Sequence, residues 1–294
     1  EVPHIFIHRS QHAIDAIAAP ERAPSRRHDC QNTLQERRII LDNLVKTKKL
    51  PSHRLIASDP EKTKLQQLSD KYKIIMANDN VEAVDKGDFV FINVPPQVVG
   101  DVIDELSLKG FPNDTLIITL AAGIPIKAYE RLGDNIPVVR ALPNPPSQIG
   151  MGIAALAFNP DVTDDQKSDV FELFAALGEY VVLREENINI VMALSSPVTT
   201  YLFFQSLIDA GIRAGIDRET STKVVYQTIV GAMEIWNQRQ ISPHELLSEA
   251  STPGGISVES IFTLEKYAFR AALNEAINTA VLKAENLGDK VQKT

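Results

Sequence analysis

The sequence predicts an α/β protein, a parallel sheet covered by helices on both faces and followed by an all-helical part. Three observations predict it. Short β-branched runs alternate with amphipathic, helix-length segments from about residue 54 to 183. Near residue 187 that alternation stops, and apolar residues recur with a helical period to the end of the chain. With 294 residues, 44% of them hydrophobic, the chain suits about two domains with sizeable cores.

The expected strands are Arg54–Ser58, Lys73–Met76, Phe89–Val94, Thr115–Leu120, Pro137–Arg140, Ile153–Phe158 and Tyr180–Leu183, and His4-Ile5-Phe6-Ile7 reads as a further short strand. Between them Glu61–Tyr72, Val98–Leu106 and Asp165–Leu177 carry helical periodicity. In the C-terminal part Tyr201–Ala214 is a helix closed by Gly215. Asp217 then caps a helix with Val224, Val225, Thr228, Ile229, Ala232, Met233 and Trp236 on one face. Pro243–Ala250 is short. The next helix starts with Ser251 or Thr252 as N-cap and Pro253 in the first position. The last runs from Phe269 to Leu287, with Gly288 just past its end. Apolar faces this wide predict cover from a second copy of the chain.

A net charge of −8 argues against a nucleic-acid partner. No apolar run approaches the roughly 20 residues that span a bilayer, so no membrane partner is expected. Cys30 is the one cysteine, which excludes an intrachain disulfide and suits a reducing compartment. The start shows no secretory pattern, and the expected location is the cytoplasm, or the mitochondrion for a eukaryotic source. Residues 1–38 form an atypical N-terminal segment, with a loop-like Pro, Arg and Ser mixture over Ala18–Cys30. His4, His8 and His12 would share a helix face, but Pro3 and the β-like Ile5–Ile7 disfavour that helix and no metal is expected. No Ser–His–Asp set or nucleophile elbow is visible.

The stretch Ser251-Thr252-Pro253-Gly254-Gly255-Ile256-Ser257 carries the strongest chemical signal. Bare amides of Gly254, Gly255 and Ile256 at a helix N-terminus would cradle a carboxylate or phosphate, with the Ser257 hydroxyl beside it. A tight helix start without a ligand fits the same residues. Three strand ends carry loops suited to a nucleotide: Leu55-Ile56-Ala57-Ser58-Asp59, Asn93-Val94-Pro95-Pro96-Gln97 and Leu120-Ala121-Ala122-Gly123-Ile124. Each alone also reads as an ordinary strand-to-helix turn. The Gly-x-Gly-x-x-Gly loop of a usual dinucleotide site is missing, since Gly87 is the first glycine of the chain.

In order and spacing these motifs resemble the pyrroline-5-carboxylate reductase family from about Ile39 to Leu287. The resemblance is carried by Leu120-Ala121-Ala122-Gly123-Ile124, by Val138-Val139-Arg140-Ala141-Leu142-Pro143-Asn144-Pro145-Pro146 and by Gly178 through Glu186. It continues through Asp209-Ala210-Gly211, Gly215-Ile216, Gln227-Thr228-Ile229-Val230-Gly231-Ala232 and Thr252-Pro253-Gly254-Gly255. It implies a Rossmann-like domain over residues 39–186 and a helical dimerisation and substrate domain over 187–294. It also implies reduction of 1-pyrroline-5-carboxylate to proline with NADPH or NADH by a homodimer or larger homo-oligomer. Thr252, Gly254, Gly255, Ile256 and Ser257 would hold the substrate, Ser257 bonding the ring nitrogen, and Ser58, Asn80, Val94, Pro95, Ala122 and Gly123 would contact the cofactor.

Several positions depart from the family pattern. Asn32-Thr33-Leu34-Gln35-Glu36 stands where the glycine loop belongs, Pro95 where a lysine is usual, and Ile256 where a small residue follows the glycines. Ser195-Ser196-Pro197-Val198-Thr199-Thr200-Tyr201 lacks two glycines, and Glu249 would bring a carboxylate toward a carboxylate site. These departures predict weak cofactor binding and a second reading, a catalytically impaired member kept for an oligomeric or regulatory role. Asp59 pulls toward NADH and Ser58 permits NADPH, so the sequence leaves the cofactor open.

Overall fold

The computed structural model describes the backbone of Phe6–Ile7 and of residues 52–292, with side chains for residues 52–286. The expectations for His4, His8 and His12, for Ala18–Cys30 and for residues 32–36 lie outside the described residues. All seven strands expected over residues 54–183 are present, as is one at Phe6–Ile7.

In chain order the first unit contains β1 (Phe6–Ile7), β2 (Ile56–Ala57), α1 (Lys62–Tyr72), β3 (Ile75–Met76), α2 (Asn80–Val84), β4 (Phe89–Ile92) and α3 (Val99–Ser107). It continues with β5 (Leu116–Thr119), β6 (Val138–Pro143), β7 (Gly152–Phe158), α4 (Asp164–Ala175), β8 (Gly178–Val182) and α5 (Ile188–Leu194). Six strands form one sheet in the order β1-β4-β5-β6-β7-β8, and β2 and β3 pair separately in parallel. β4 and β5 are buried at every position, the mark of parallel strands covered on both faces. Their core joins Val90, Ile92, Ile117 and Ile118 to Val99, Ile103, Tyr129, Val139 and Phe174.

The expectation of a parallel sheet holds for β4-β5-β6 and for β7-β8, but β1 pairs antiparallel with β4 and β6 with β7. The reason at β6–β7 is the connection. A parallel crossover needs about a dozen residues or more. Residues 144–151 instead make a single 3-10 turn, Pro145–Ile149, closed by Gly150 at φ 71°. The chain therefore doubles back as a hairpin. Sequence periodicity also missed α2 and the 3-10 segment Ile126–Leu132, both too short for a helical period to register.

A second compact unit, Ser196–Thr279, is helical, while the chain from Ala280 onward belongs with the first unit. The second unit contains α6 (Pro197–Arg213), α7 (Arg218–Arg239), α8 (Pro243–Glu249), α9 (Ile256–Lys266) and the first part of α10 (Phe269–Gln292). Pro197 takes the first turn of α6, so this helix starts four residues before the expected Tyr201. Asp217 caps α7 as expected, accepting from Thr220 N–H at 3.0 Å, a bond that holds its carboxyl below the usual range. Ser242 and Glu245 form a capping box on α8. Gly288 does not end the last helix, which runs on to Gln292. α6 and α7 touch closely where Gly211 lies against Ser221, whose hydroxyl bonds Ile208 O at 2.9 Å. A methyl group at Gly211 would come within 2.2 Å of that hydroxyl oxygen.

Contrary to the sequence expectation, Glu185–Arg213 is long and apolar enough, by length and composition, to cross a membrane. It is interrupted at Ser195-Ser196, between α5 and α6.

Gly152 and Gly178 face each other in the β7–β8 register, and Gly178 has φ 133°. A Cβ on Gly178 would lie 2.3 Å from Gly152 O. Gly178→Ala is expected to cost about 2–4 kcal/mol in urea denaturation, because strain and a backbone clash coincide.

Candidate active site

The carboxyl end of β2 carries Ser58 and Asp59, 2% and 3% exposed. Ser58 Oγ donates to Asn80 Oδ1 at 2.6 Å, and Asn80 Nδ2 donates to Glu105 Oε2 of α3 at 2.6 Å. Two of the expected cofactor residues, Ser58 and Asn80, are thus brought together, with the hydroxyl committed to the amide. Asp59 Oδ1 accepts from Glu61 N–H at 2.6 Å, which fixes the carboxylate at the strand end as α1 begins. At the end of β4, Val94 is buried, and Pro95 precedes a 3-10 turn closed by Val98 N–H on Pro95 O at 3.0 Å. At the end of β5, Ala121 to Ile124 form a turn in which Ile124 N–H meets Ala121 O at 3.4 Å and Gly123 takes φ 77°. A buried hydroxyl and carboxylate at one strand end with the Asn80 amide beside them, and a small-residue turn at another, are a set of polar and small groups that fits the ribose and flat rings of a dinucleotide.

A buried arginine supports the β5 loop. Arg140 on β6 is 3% exposed. Its Nη2 donates to Asn189 Oδ1 at 2.7 Å, and its Nη1 lies 3.5 Å from Glu185 Oε1. The same Glu185 oxygen accepts from Ile126 N–H at 2.6 Å. Beside this pair the Tyr129 hydroxyl shares a short hydrogen bond with Thr119 Oγ1, which also accepts from Ala121 N–H at 3.3 Å. Burial pushes the Tyr129 phenol up, so it stays neutral, and burial lowers Arg140 from its ordinary value while Glu185 acts in the opposite sense. Four residues on, Asn144 accepts from Ile153 N–H at 2.8 Å and donates to Ser195 O at 3.0 Å. The Arg-x-x-Pro-Asn motif therefore ties residues 185–195 to the sheet. In the sequence Arg140 and Asn144 carry the family resemblance but show nothing of this work. A lone arginine within an apolar strand was the signal available.

The glycine-rich stretch corrects the expected helix start. Gly255, not Ser251 or Thr252, is the N-cap of α9, and Ile256 is its first residue. Pro253 and Gly254 occupy the middle of a turn closed by Gly255 N–H on Thr252 O at 2.8 Å, with Gly254 at φ 73°. Pro followed by a glycine at positive φ is the pattern of a type II turn, and it uses the proline that was expected inside the helix. The Gly255 amide is thereby turned inward rather than outward. The amides of Ile256 and Ser257 lead α9 without intrahelical acceptors, and both residues are exposed. Glu249 is not left facing an anion site: it forms a fork with Arg239 at 2.5 and 2.8 Å, which holds its carboxyl below the usual range. Among the described residues no His, Cys, Asp and Glu group has metal-binding geometry.

The profile described as pyrroline-5-carboxylate reductase dimerisation matches residues 185–287, and that described as NADP oxidoreductase coenzyme F420-dependent matches residues 33–123. A pyrroline-5-carboxylate reductase of Corynebacterium melassecola is 32% identical over 76% of this chain and 84% of its own length. That of Synechocystis sp. is 29% identical over 85% and 94%. The solved structure of the Coxiella burnetii pyrroline-5-carboxylate reductase has a TM-score of 0.79 at 26% identity, covering 95% of this chain and 99% of that one. These findings do not favour the reading of a catalytically impaired member.

Replacing Arg140 by Leu should cost about 3 kcal/mol in chemical denaturation, since Glu185 and Asn189 lose their shared partner. Arg140→Lys is expected to recover only part of that loss, because an ammonium cannot reproduce the two-armed geometry.

Proposed function

The chain belongs to the pyrroline-5-carboxylate reductase family, and on that premise we propose how its residues carry out the reaction. The enzyme reduces 1-pyrroline-5-carboxylate to proline with NAD(P)H, and the chain forms homo-oligomers. The nicotinamide, when bound, supplies a hydride to the imine carbon, and a proton completes the amine at the ring nitrogen.

The observation that carries the residue assignment is the turn before α9. The Thr252–Gly255 hydrogen bond at 2.8 Å leaves the Ile256 and Ser257 amides at the positive end of an 11-residue helix. There they hold the substrate carboxylate, with Thr252, Gly254 and Gly255 shaping the turn. The Ser257 hydroxyl donates to the ring nitrogen, which orients the imine and stabilises the negative charge that hydride arrival places there; the proton reaches that nitrogen through the same hydroxyl, which regains one from solvent. A side chain at Gly255 would crowd the turn, since its Cβ would lie 2.9 Å from Thr252 O. Ser58, Asn80, Val94, Pro95, Ala122 and Gly123 form the cofactor side, at the carboxyl ends of β2, β4 and β5 and at the start of α2. Residues 39–186 serve as the Rossmann-like cofactor domain and 187–294 as the helical dimerisation and substrate domain. The dimer covers the apolar faces of α6, α7 and α10. The proposed place of work is the cytoplasm, where a chain with one cysteine stays reduced.

Purified protein should oxidise NAD(P)H in the presence of 1-pyrroline-5-carboxylate. Ser257→Ala should lower kcat about a hundredfold with a smaller change in KM. Gly255→Val should weaken proline binding at least about tenfold, measured by calorimetry. Unchanged kcat in the first variant, or unchanged binding in the second, places the chemistry elsewhere. Light scattering should give at least twice the 32.4 kDa chain mass.

A further inference from the structure

We propose that this enzyme prefers NADH to NADPH and that Asp59 sets the preference. The proposal rests on the reductase reading above and adds the identity of the cofactor.

The two cofactors differ only at the adenosine 2′ position, a hydroxyl in one and a phosphate carrying up to two negative charges in the other. In a parallel sheet of this kind that position falls at the carboxyl end of the second strand of the nucleotide-binding unit. Here that place is taken by Ser58 and Asp59, directly after Ile56–Ala57. Ser58 could serve a phosphate, but its hydroxyl donates to Asn80 Oδ1 at 2.6 Å. Asp59 is 3% exposed, and the Glu61 N–H at 2.6 Å holds its carboxylate at the strand end. A carboxylate accepts from a ribose hydroxyl and repels a phosphate, and burial strengthens both effects.

The surrounding charges act in the same sense. Glu105 reaches into the site through Asn80 Nδ2 at 2.6 Å. Glu61 follows Asp59 by two residues, and Asp79 caps α2 where Asn80 begins. Among the described residues three lysines near these carboxylates are engaged, while Lys109 lines the same surface as Asp79, Glu82 and Glu105. Lys62 Nζ donates to Asn78 O at 2.7 Å, Lys64 pairs with Glu61, and Lys86 pairs with Glu82 at 2.6 Å, which lowers that carboxyl to about 2.

Calorimetric titration of the full-length protein with NADH and with NADPH tests this without turnover, and kcat/KM for each cofactor tests it with turnover. NADPH is expected to bind at least about tenfold more weakly than NADH, with the gap narrowing at high salt as the repulsion is screened. Asp59→Asn keeps an acceptor for the Glu61 N–H, removes the charge, and should bring the two dissociation constants within about threefold of each other. Equal or tighter NADPH binding by the unmodified protein overturns the proposal, as does an unchanged ratio in a folded Asp59→Asn variant. Should that variant not fold, the unmodified protein's ratio and its salt dependence decide. Binding of neither cofactor overturns the reductase reading itself, and the preference with it.

Discussion

A guanidinium buried in an apolar sheet constrains much of the first unit. Desolvating Arg140 is costly unless its donors are met, so the chain must bring polar partners to it. It does so with Glu185 and Asn189, which sit more than forty residues later in the chain and on the far side of β7 and β8 in sequence. That requirement fixes the 3-10 turn Glu185–Asn187 and the start of α5 against β6. Through the Glu185 oxygen it also fixes Ile126 N–H, and hence the chain leaving the Ala121–Ile124 turn. One charge thus aligns the loop after β5 with the segment that leads out of the unit. Asn144 extends the same tie to Ser195.

The two ends of the proposed chemistry use one backbone device. At Ala121–Ile124 and at Thr252–Gly255 the chain turns through a glycine at positive φ in the third position, φ 77° at Gly123 and φ 73° at Gly254. An L side chain in that conformation is strained, and a bulky one would fill the space a ligand needs. In the proposed chemistry the first turn would present small residues to a flat ring, and the second would present two helix-leading amides to an anion. The carboxylate of Glu249, which would oppose that anion, is neutralised by Arg239 on the preceding long helix.

The helical unit shows why association follows from composition. α7 has 22 residues, and in the single chain only Ser221 among them is buried. Val224, Tyr226, Met233 and Trp236 are all more than 40% exposed, as are Tyr201 and Leu202 of α6. Faces of this size are stable in water only when covered, and a family match for dimerisation over residues 185–287 names the cover. The tight approach of Gly211 to Ser221 sets the α6–α7 hairpin that presents those faces.

Periodicity determined the order of strands and helices, and motif spacing determined the family, because both depend on neighbours a few residues apart in sequence. All seven strands expected over residues 54–183 could be read this way, as could the Asp217 cap and the break near residue 187. Strand direction could not. β6 and β7 run antiparallel because residues 144–151 close a tight 3-10 turn, and nothing in a β-branched run tells which way its neighbour points. The start of α9 was misplaced for a related reason: Pro253 suits both a first helical turn and a type II turn, and the Thr252–Gly255 hydrogen bond selects the latter. The partners of Arg140 and Ser58 lie 22 to 49 residues away in sequence. Such pairings are set by three-dimensional packing around groups that must not be buried alone, and only the tertiary structure decided them.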